Sequence, residues 1–256
     1  MIPFGTSTQP FSSSFSIHFL SENAITIEFG QKIDEATFDK VHQFNKLLNA
    51  RPFEGLLCTV PAYVSLTVFY DATIVINAKN GLIGISGFER VSGYLVQLHT
   101  QMTAIEKNTR KTIRLPVCYE GKLAPDLNYV ASYHNISPAE VIRLHSSVPY
   151  KVYMIGFVPG FAYLGGMNSL LETPRKAVPR KKVPAGSVGI AGAQTGIYPF
   201  PIPGGWQIIG CSPLRLFDIE RPSPALLSAG DEIMFEVIDL EEFEAIKNSN
   251  SWKSLS

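Results

Sequence analysis

Cysteine is scarce. Three residues in 256, Cys58, Cys118 and Cys211, are odd in number and far apart. They form neither a disulfide framework nor a metal-ligand pair, which fits a reducing cytoplasm. A charge of one sign is also missing: 22 Lys and Arg balance 22 Asp and Glu. Nothing global therefore argues for nucleic acid or an anionic membrane as partner. No uninterrupted apolar run is long enough to span a bilayer. The N-terminus lacks a basic region before its apolar residues, so no signal peptide is read there. No Gly-rich phosphate loop precedes Lys111-Thr112 or Lys253-Ser254, so ATP phosphates would not be held by that device. No Met-Lys-Met biotin site occurs. The five histidines, His18, His42, His99, His134 and His145, lack zincin spacing. His134 and His145 lie near the ends of short predicted helices and read as cations complementing helix dipoles.

What is present is enough apolar residue to bury a core, 45% of the chain. The length suits one large domain or two smaller ones. Residues 5–14 read as a mobile Ser/Thr-rich tail. Two strands follow around Ser21-Glu22-Asn23, and Ile25 and Ile27 alternate with Thr26 and Glu28 as in a half-buried strand. Asp34 caps a helix to about Ala50, with Phe38, Val41, Phe44 and Leu48 as its apolar stripe. Residues 56–60 and 64–70 are β-branched and aromatic strands. Asn80-Gly81 between two apolar runs, 73–78 and 82–86, predicts a hairpin. Val91, Leu95, Leu98 and Met102 fall at helical spacing between 89 and 108. The polar run 106–114 marks a boundary.

Beyond it, residues 112–119 start a strand and 126–134 form a short helix. Ser137-Pro138-Ala139-Glu140 is a capping box for a helix to about His145. Residues 150–157 and 232–238 are strands, and 240–247 a terminal helix. Between them, residues 153–218 are punctuated by Gly and Pro throughout, so no long helix forms. Short apolar runs at 188–191, 207–209 and 214–217 give short strands joined by shaped loops. The second part thus reads as a compact barrel.

Within that stretch, GFVPGFAYLGG at 156–166 puts Phe157, Phe161 and Tyr163 among glycines that let a ligand approach the backbone. The alternative is a barrel corner filling its own core. Arg175, Lys176, Arg180, Lys181 and Lys182 form a basic run. It is either a solvated loop or an anion funnel, in which Arg is the better bidentate carboxylate binder. Gln194, Thr195 and Tyr198 add polar groups, and Trp206 an aromatic wall. Ala185-Gly186-Ser187-Val188-Gly189 resembles a nucleophile elbow, but Gly189, Gly192, Gly196 and Pro199 forbid the long helix an elbow needs. Ser187 is left as a hydrogen-bonding wall residue.

The strings GFVPGFAYLGG, PRKKVPAGSVGIAGAQTGIYPFPIPGGWQIIG and SPLRLFD resemble the family of the bacterial 5-oxoprolinase B subunit. That family includes the sporulation histidine-kinase inhibitor KipI and allophanate hydrolase subunit 1. AITIEFG at 24–30 and VPAYVSLTVFYD at 60–71 extend the likeness. Two departures stand out: residues 72–87 look inserted, and Cys211 sits where a basic residue is common. The resemblance implies an α+β fold. An N-terminal α/β sandwich-like domain, residues 14–110, would precede a cyclophilin-like β-barrel of carboxyltransferase type, residues 111–248. It further implies a non-autonomous B subunit. With a homologous C subunit and a separate A subunit, it would cleave 5-oxo-L-proline to L-glutamate using ATP. Alternatives are a regulator whose partner is a histidine kinase, and a carboxyltransferase-type component of urea breakdown. The expected substrate-binding residues are Phe157, Phe161, Tyr163, Arg180, Ser187, Gln194, Tyr198 and Trp206. No catalytic residue and no metal ligand is named.

Overall fold

The computed structural model describes residues 9–12, 15–32, 34–79, 81–102 and 112–249. The chain divides into two compact units, Met1–Asn108 and Thr109–Ser256. Most of the expected boundary run, 106–111, lies outside the described residues.

The first unit is a five-stranded antiparallel sheet in the order β1-β2-β3-β5-β4. Its strands are β1 (Gln9–Ser12), β2 (Phe15–Ser21), β3 (Ala24–Glu28), β4 (Leu56–Pro61) and β5 (Ser65–Tyr70). β1 falls in the segment expected to be a mobile tail; pairing with β2 orders it instead. Alternation decides the faces. Ile17, Ile25, Ile27, Leu66, Val68 and Tyr70 are buried, whereas Thr26 and Thr67 face away and share a hydrogen bond of 3.0 Å. Two helices supply the other half of this core, α1 (Glu35–Ala50) through Phe44 and Leu48 and a later helix, Gly87–His99, through Val91 and Leu95. Asp34 caps α1 by accepting from the Thr37 amide at 2.8 Å.

The expected hairpin around Asn80-Gly81 is not there. Residues Ala72–Asn77 are a helix, α2, because Asp71 caps it through the Ile74 amide at 3.0 Å and Val75 is fully buried. Its β-branched residues suggested a strand; the cap and the burial outweigh that preference. Asn80 itself lies outside the described residues. Helix α3 (Gly87–His99) starts earlier than its apolar spacing shows, on a capping box between Ser86 and Glu89.

The second unit is a closed seven-stranded barrel in the order β10-β11-β8-β7-β14-β6-β13. Its strands are β6 (Thr112–Cys118), β7 (Tyr150–Ile155), β8 (Ala162–Gly165), β10 (Ser187–Ala191), β11 (Gln194–Ile197), β13 (Gln207–Cys211) and β14 (Glu232–Ile238). β6 and β14 pair in parallel and close the barrel. β9 (Arg180–Val183) and β12 (Ile202–Gly204) form a separate two-stranded ribbon. The helices are α4 (Leu127–Tyr133), α5 (Pro138–Ser146) and α6 (Leu240–Ser249). The expected strand at 214–217 is replaced by a loop with one isolated bridge, Phe217 to Ala225. The capping box at Ser137 is half-formed: Ser137 accepts from the Glu140 amide, but the Glu140 carboxylate turns to Arg143 at 2.6 Å.

The barrel wall has two apolar faces. Leu115, Val152, Leu164, Ile190, Ile209 and Phe235 fill the interior. Residues one position away, Tyr163, Ala191 and Ile208, point outward into a second cluster with Phe161, Val183, Tyr198 and Trp206. Covered on both faces, β10 and β13 are buried along their whole lengths. Among the described residues no helix is long and apolar enough to cross a membrane.

Candidate functional site

The outer cluster gathers most of the residues that the sequence singles out. Gly189 of β10 and Gly196 of β11 are register partners, so the wall is flat where they meet. A Cβ on Gly196 would stand 3.0 Å from the Trp206 ring and 3.2 Å from that of Phe161. Bare backbone is thus the floor on which both rings lie. Phe161 is the hub, with ring centroids 4.8 Å from Tyr163, 5.2 Å from Tyr198 and 5.5 Å from Trp206. These tilted and edge-on contacts suit aromatic quadrupoles. Phe161 and Tyr198 are 1% exposed and Trp206 5%, so these three fill their own small core. Burial pushes the phenols of Tyr198 and Tyr163 up from their ordinary range.

The rim of the cluster is open. Phe157 is 66% exposed and touches Phe161 edge-on at 5.8 Å. Its φ is +68°, and the Val158 amide reaches back to the Gly156 carbonyl at 2.8 Å. That is a γ-turn of the positive-φ kind, rare and strained, on a bulky residue. Tyr163 is partly exposed, and the exposed Arg175 holds its guanidinium over the Trp206 ring, 6.0 Å from the centroid.

The basic run is not uniform. Asp126, at the start of α4, takes Arg180 on Oδ1 at 2.7 Å and Lys176 on the same oxygen at 3.1 Å. Its Oδ2 accepts from the Ile208 amide at 2.7 Å. Burial alone would push this carboxyl up; the bonds from Arg180, Ile208 and Lys176 outweigh it and hold it below the usual range. Arg180 also reaches the Trp206 carbonyl at 3.4 Å. Arg175 has no ion pair among the described residues, and Lys181 and Lys182 are exposed.

Ser187 is buried and joins the cluster through its backbone, its carbonyl accepting from the Tyr198 amide at 2.9 Å. Gln194 opens β11 opposite Ala191. The structure therefore joins Phe157, Phe161, Tyr163, Tyr198, Trp206 and Arg180 in one group. Ser187 and Gln194 lie in the strands beneath it. Sequence reasoning missed Asp126, because its partners lie 50 and 54 residues away.

Of the two histidines, His134 stands at the C-cap of α4 as expected, and His145 departs from that role. His134 bonds to Thr173 at 3.0 Å. His145 is fully buried between Tyr119 and Thr195, and burial pushes its pKa down to about 3. A neutral ring cannot complement a helix dipole. No group of His, Cys, Asp and Glu able to hold a metal ion occurs among the described residues.

Comparison with known proteins gives the chain its relatives. A profile for the carboxyltransferase domain, subdomain C and D, matches residues 15–227. A protein of Bacillus subtilis (strain 168), named as the B subunit of 5-oxoprolinase, is 42% identical over 238 residues, which are 93% of this chain and 98% of that one. The solved structure of TTHA0988 superposes with a TM-score of 0.72 at 34% identity over 84% of this chain, which spans 40% of that protein. The urea carboxylase of Kluyveromyces lactis has a TM-score of 0.71 at 17% identity, covering 95% of this chain and 24% of that protein, and so shares the fold. The chain therefore belongs to the carboxyltransferase-domain family, subdomain C and D, alongside the proteins named as 5-oxoprolinase B subunits.

Proposed function

We propose that this chain is the B subunit of an ATP-dependent 5-oxoprolinase, which opens 5-oxo-L-proline to L-glutamate together with a homologous C subunit and a separate A subunit. The observation that carries this reading is the 42% identity across 98% of the Bacillus subtilis protein of that name. The chemistry asks for help from outside the chain. A five-membered lactam is an unstrained amide, and coupling its hydrolysis to ATP supplies the driving force. ATP is a co-substrate of the assembled enzyme in this reading, and no residue here is assigned to its phosphates or to a nucleophile.

The chain contributes binding. Phe157 and Tyr163 offer open apolar faces to the ring, and Arg175 is placed to take the carboxylate. Phe161, Tyr198 and Trp206 stiffen the wall from behind, while Asp126 fixes Arg180 and through it the ribbon. Ser187 and Gln194 supply the polar strands beneath. Backbone amides of the Gly-rich loops would polarise the lactam carbonyl.

Reconstitution tests the reading. The purified chain with ATP and 5-oxo-L-proline should form no glutamate, and adding the A and C companions should start turnover. A complete, assembled enzyme that leaves 5-oxo-L-proline intact would refute the assignment. Turnover by this chain alone would refute its dependence on partners.

A further inference from the structure

Cys118 and Cys211 are distant in sequence but directly opposite in the antiparallel pair of β6 and β13. Residues so opposed point to the same face, with Cα atoms ~4.5 or ~5.5 Å apart according to the pair type. Either distance lies within the ~4.4–6.8 Å that a disulfide requires. Both thiols are free. Sequence spacing excluded a disulfide framework here; the barrel brings the two together.

A terminal helix, α6, forms part of what covers them. Cys118, Cys211, Ile238 and Phe243 form a small cluster with Leu123 and Ile246 packed against it. Phe243 is the single buried residue of α6, Ile246 is half-buried, and the rest of the helix is exposed. A ten-residue helix held by so little is drawn from the low-stability end of a structure. While it is docked, burial pushes the Cys211 thiol up to about 12 and raises that of Cys118, so both stay protonated and unreactive. The Cys211 thiol rests on long contacts to the carbonyls of Ala185, 3.7 Å, and Ser212, 3.6 Å.

We infer that Cys118 and Cys211 are a disulfide-forming site gated by α6, with hydrogen peroxide as the two-electron oxidant. When α6 lifts, one thiol gives its proton to solvent and the thiolate attacks a peroxide oxygen. The O–O bond breaks, leaving a sulfenic acid and, after proton uptake, one water. The second sulfur, deprotonated in turn, attacks the sulfenic sulfur; the S–S bond forms and the hydroxyl leaves as the second water. Two thiols and one peroxide become one disulfide and two waters. The product draws the Cys211 sulfur away from Ala185. The next residue, Gly186, donates to the Tyr198 carbonyl at 2.7 Å and accepts from the Ser212 amide at 2.8 Å. The pair and the aromatic cluster thus share a corner of the barrel.

The test uses the full chain carrying Cys58→Ser, which removes the exposed thiol. Protein is treated with hydrogen peroxide, denatured, alkylated and weighed intact, then mapped by peptide. The expected product is lighter by two hydrogens, takes up no alkylating agent, and yields a reducible peptide pair containing Cys118 and Cys211. Phe243→Ala should form it faster; if circular dichroism shows that variant unfolded, the milder Ile246→Ala takes its place. The inference fails if both thiols remain alkylatable, or are oxidised singly, at a peroxide dose that fully oxidises Cys58 of the parent chain. The gating part fails if a folded α6 variant gains no rate. None of these readouts depends on the activity proposed above.

Discussion

Arg180 donates to Oδ1 of Asp126 at 2.7 Å, and that bond changes what the basic run means. Side-chain exposure is 26% for Arg180 and 6% for Asp126, so the pair is sheltered rather than solvated. From the sequence, Arg180 belongs to a basic run that is either a solvated loop or an anion funnel, and in both cases its removal would leave the fold nearly unchanged. In the structure its removal strips a buried carboxylate of its shortest cationic contact. Arg180→Ala should therefore lower stability by about 1–3 kcal/mol, with Lys176 and the Ile208 amide limiting the loss. Lys181→Ala, at an exposed position, should stay within about 0.5 kcal/mol. Urea unfolding of the two variants side by side checks this; equal stability would mean that Lys176 and the Ile208 amide suffice for Asp126.

Arg175 is the better probe of an anion site. Its guanidinium lies over Trp206 and makes no ion pair among the described residues. Arg175→Ala should leave folding within about 0.5 kcal/mol of the parent. In the reconstituted enzyme it should cost on the order of tenfold or more in kcat/KM, since a hydrogen bond to a charged group is worth ~1.5–3 kcal/mol. Arg175→Lys should recover part of the loss. Parental kinetics in the alanine variant would move the carboxylate contact elsewhere.

Much of this was legible from residue pattern and some of it was not. The alternation of Ile25 and Ile27 with Thr26 fixed a strand and its buried face, because that signal is local. Barrel closure rests on β14 lying parallel to β6, with Glu232 opposite Thr112, and no local pattern encodes such a pairing. In Ala72–Asn77 two local signals compete, a β-branched run and the Asp71 cap, and tertiary burial of Val75 chooses. The aromatic residues of the outer cluster were visible as types. Their division into buried hub and open rim was not, because it depends on the Gly189–Gly196 floor. Asp126, Cys118 and Cys211 acquire their roles only through long-range contacts.

The turn at Phe157 invites a stability measurement that runs against its effect on activity. A bulky residue at φ +68° stores strain of about 1–3 kcal/mol. Asn tolerates that region better and adds little freedom to the unfolded chain. Phe157→Asn should thus be as stable as the parent or more so, since its ring is mostly exposed and little burial is lost. If the ring contacts substrate, the same variant should weaken KM in the reconstituted enzyme. A variant that loses stability and keeps its kinetics would show that the ring merely packs on Phe161.

The last expectation concerns pH, and it follows from a hydrogen-bond chain with only one consistent direction. The Thr195 hydroxyl donates to the Gly189 carbonyl at 3.0 Å, so its oxygen can only accept from Nε2 of His145 at 2.9 Å. Nε2 therefore carries the hydrogen, and Nδ1 accepts from the Tyr119 hydroxyl at 2.8 Å. A second proton on Nδ1 would face a donor it must displace, beside the stacked ring of Phe235 and away from water. Burial accordingly pushes the pKa from 6.5 down to about 3. The unfolded chain binds this proton first as pH falls. The stabilisation is then complete above about pH 6.5 and is lost progressively towards about pH 3. Within that window the slope from this one group approaches ~1.4 kcal/mol per pH unit. The carboxylates, including Asp126, add to the loss at lower pH in the same sense, and His99, whose pKa burial also lowers, adds to it just below pH 6.5, so His145 is isolated by comparison with a variant that lacks only its titration. His145→Gln can keep a donor and an acceptor but cannot titrate. It should be less stable at neutral pH, having lost the stacked ring, yet flatter across that window. Urea unfolding at a series of pH values separates the two proteins, and parallel slopes would mean that His145 binds its proton equally well in the folded and the unfolded chain.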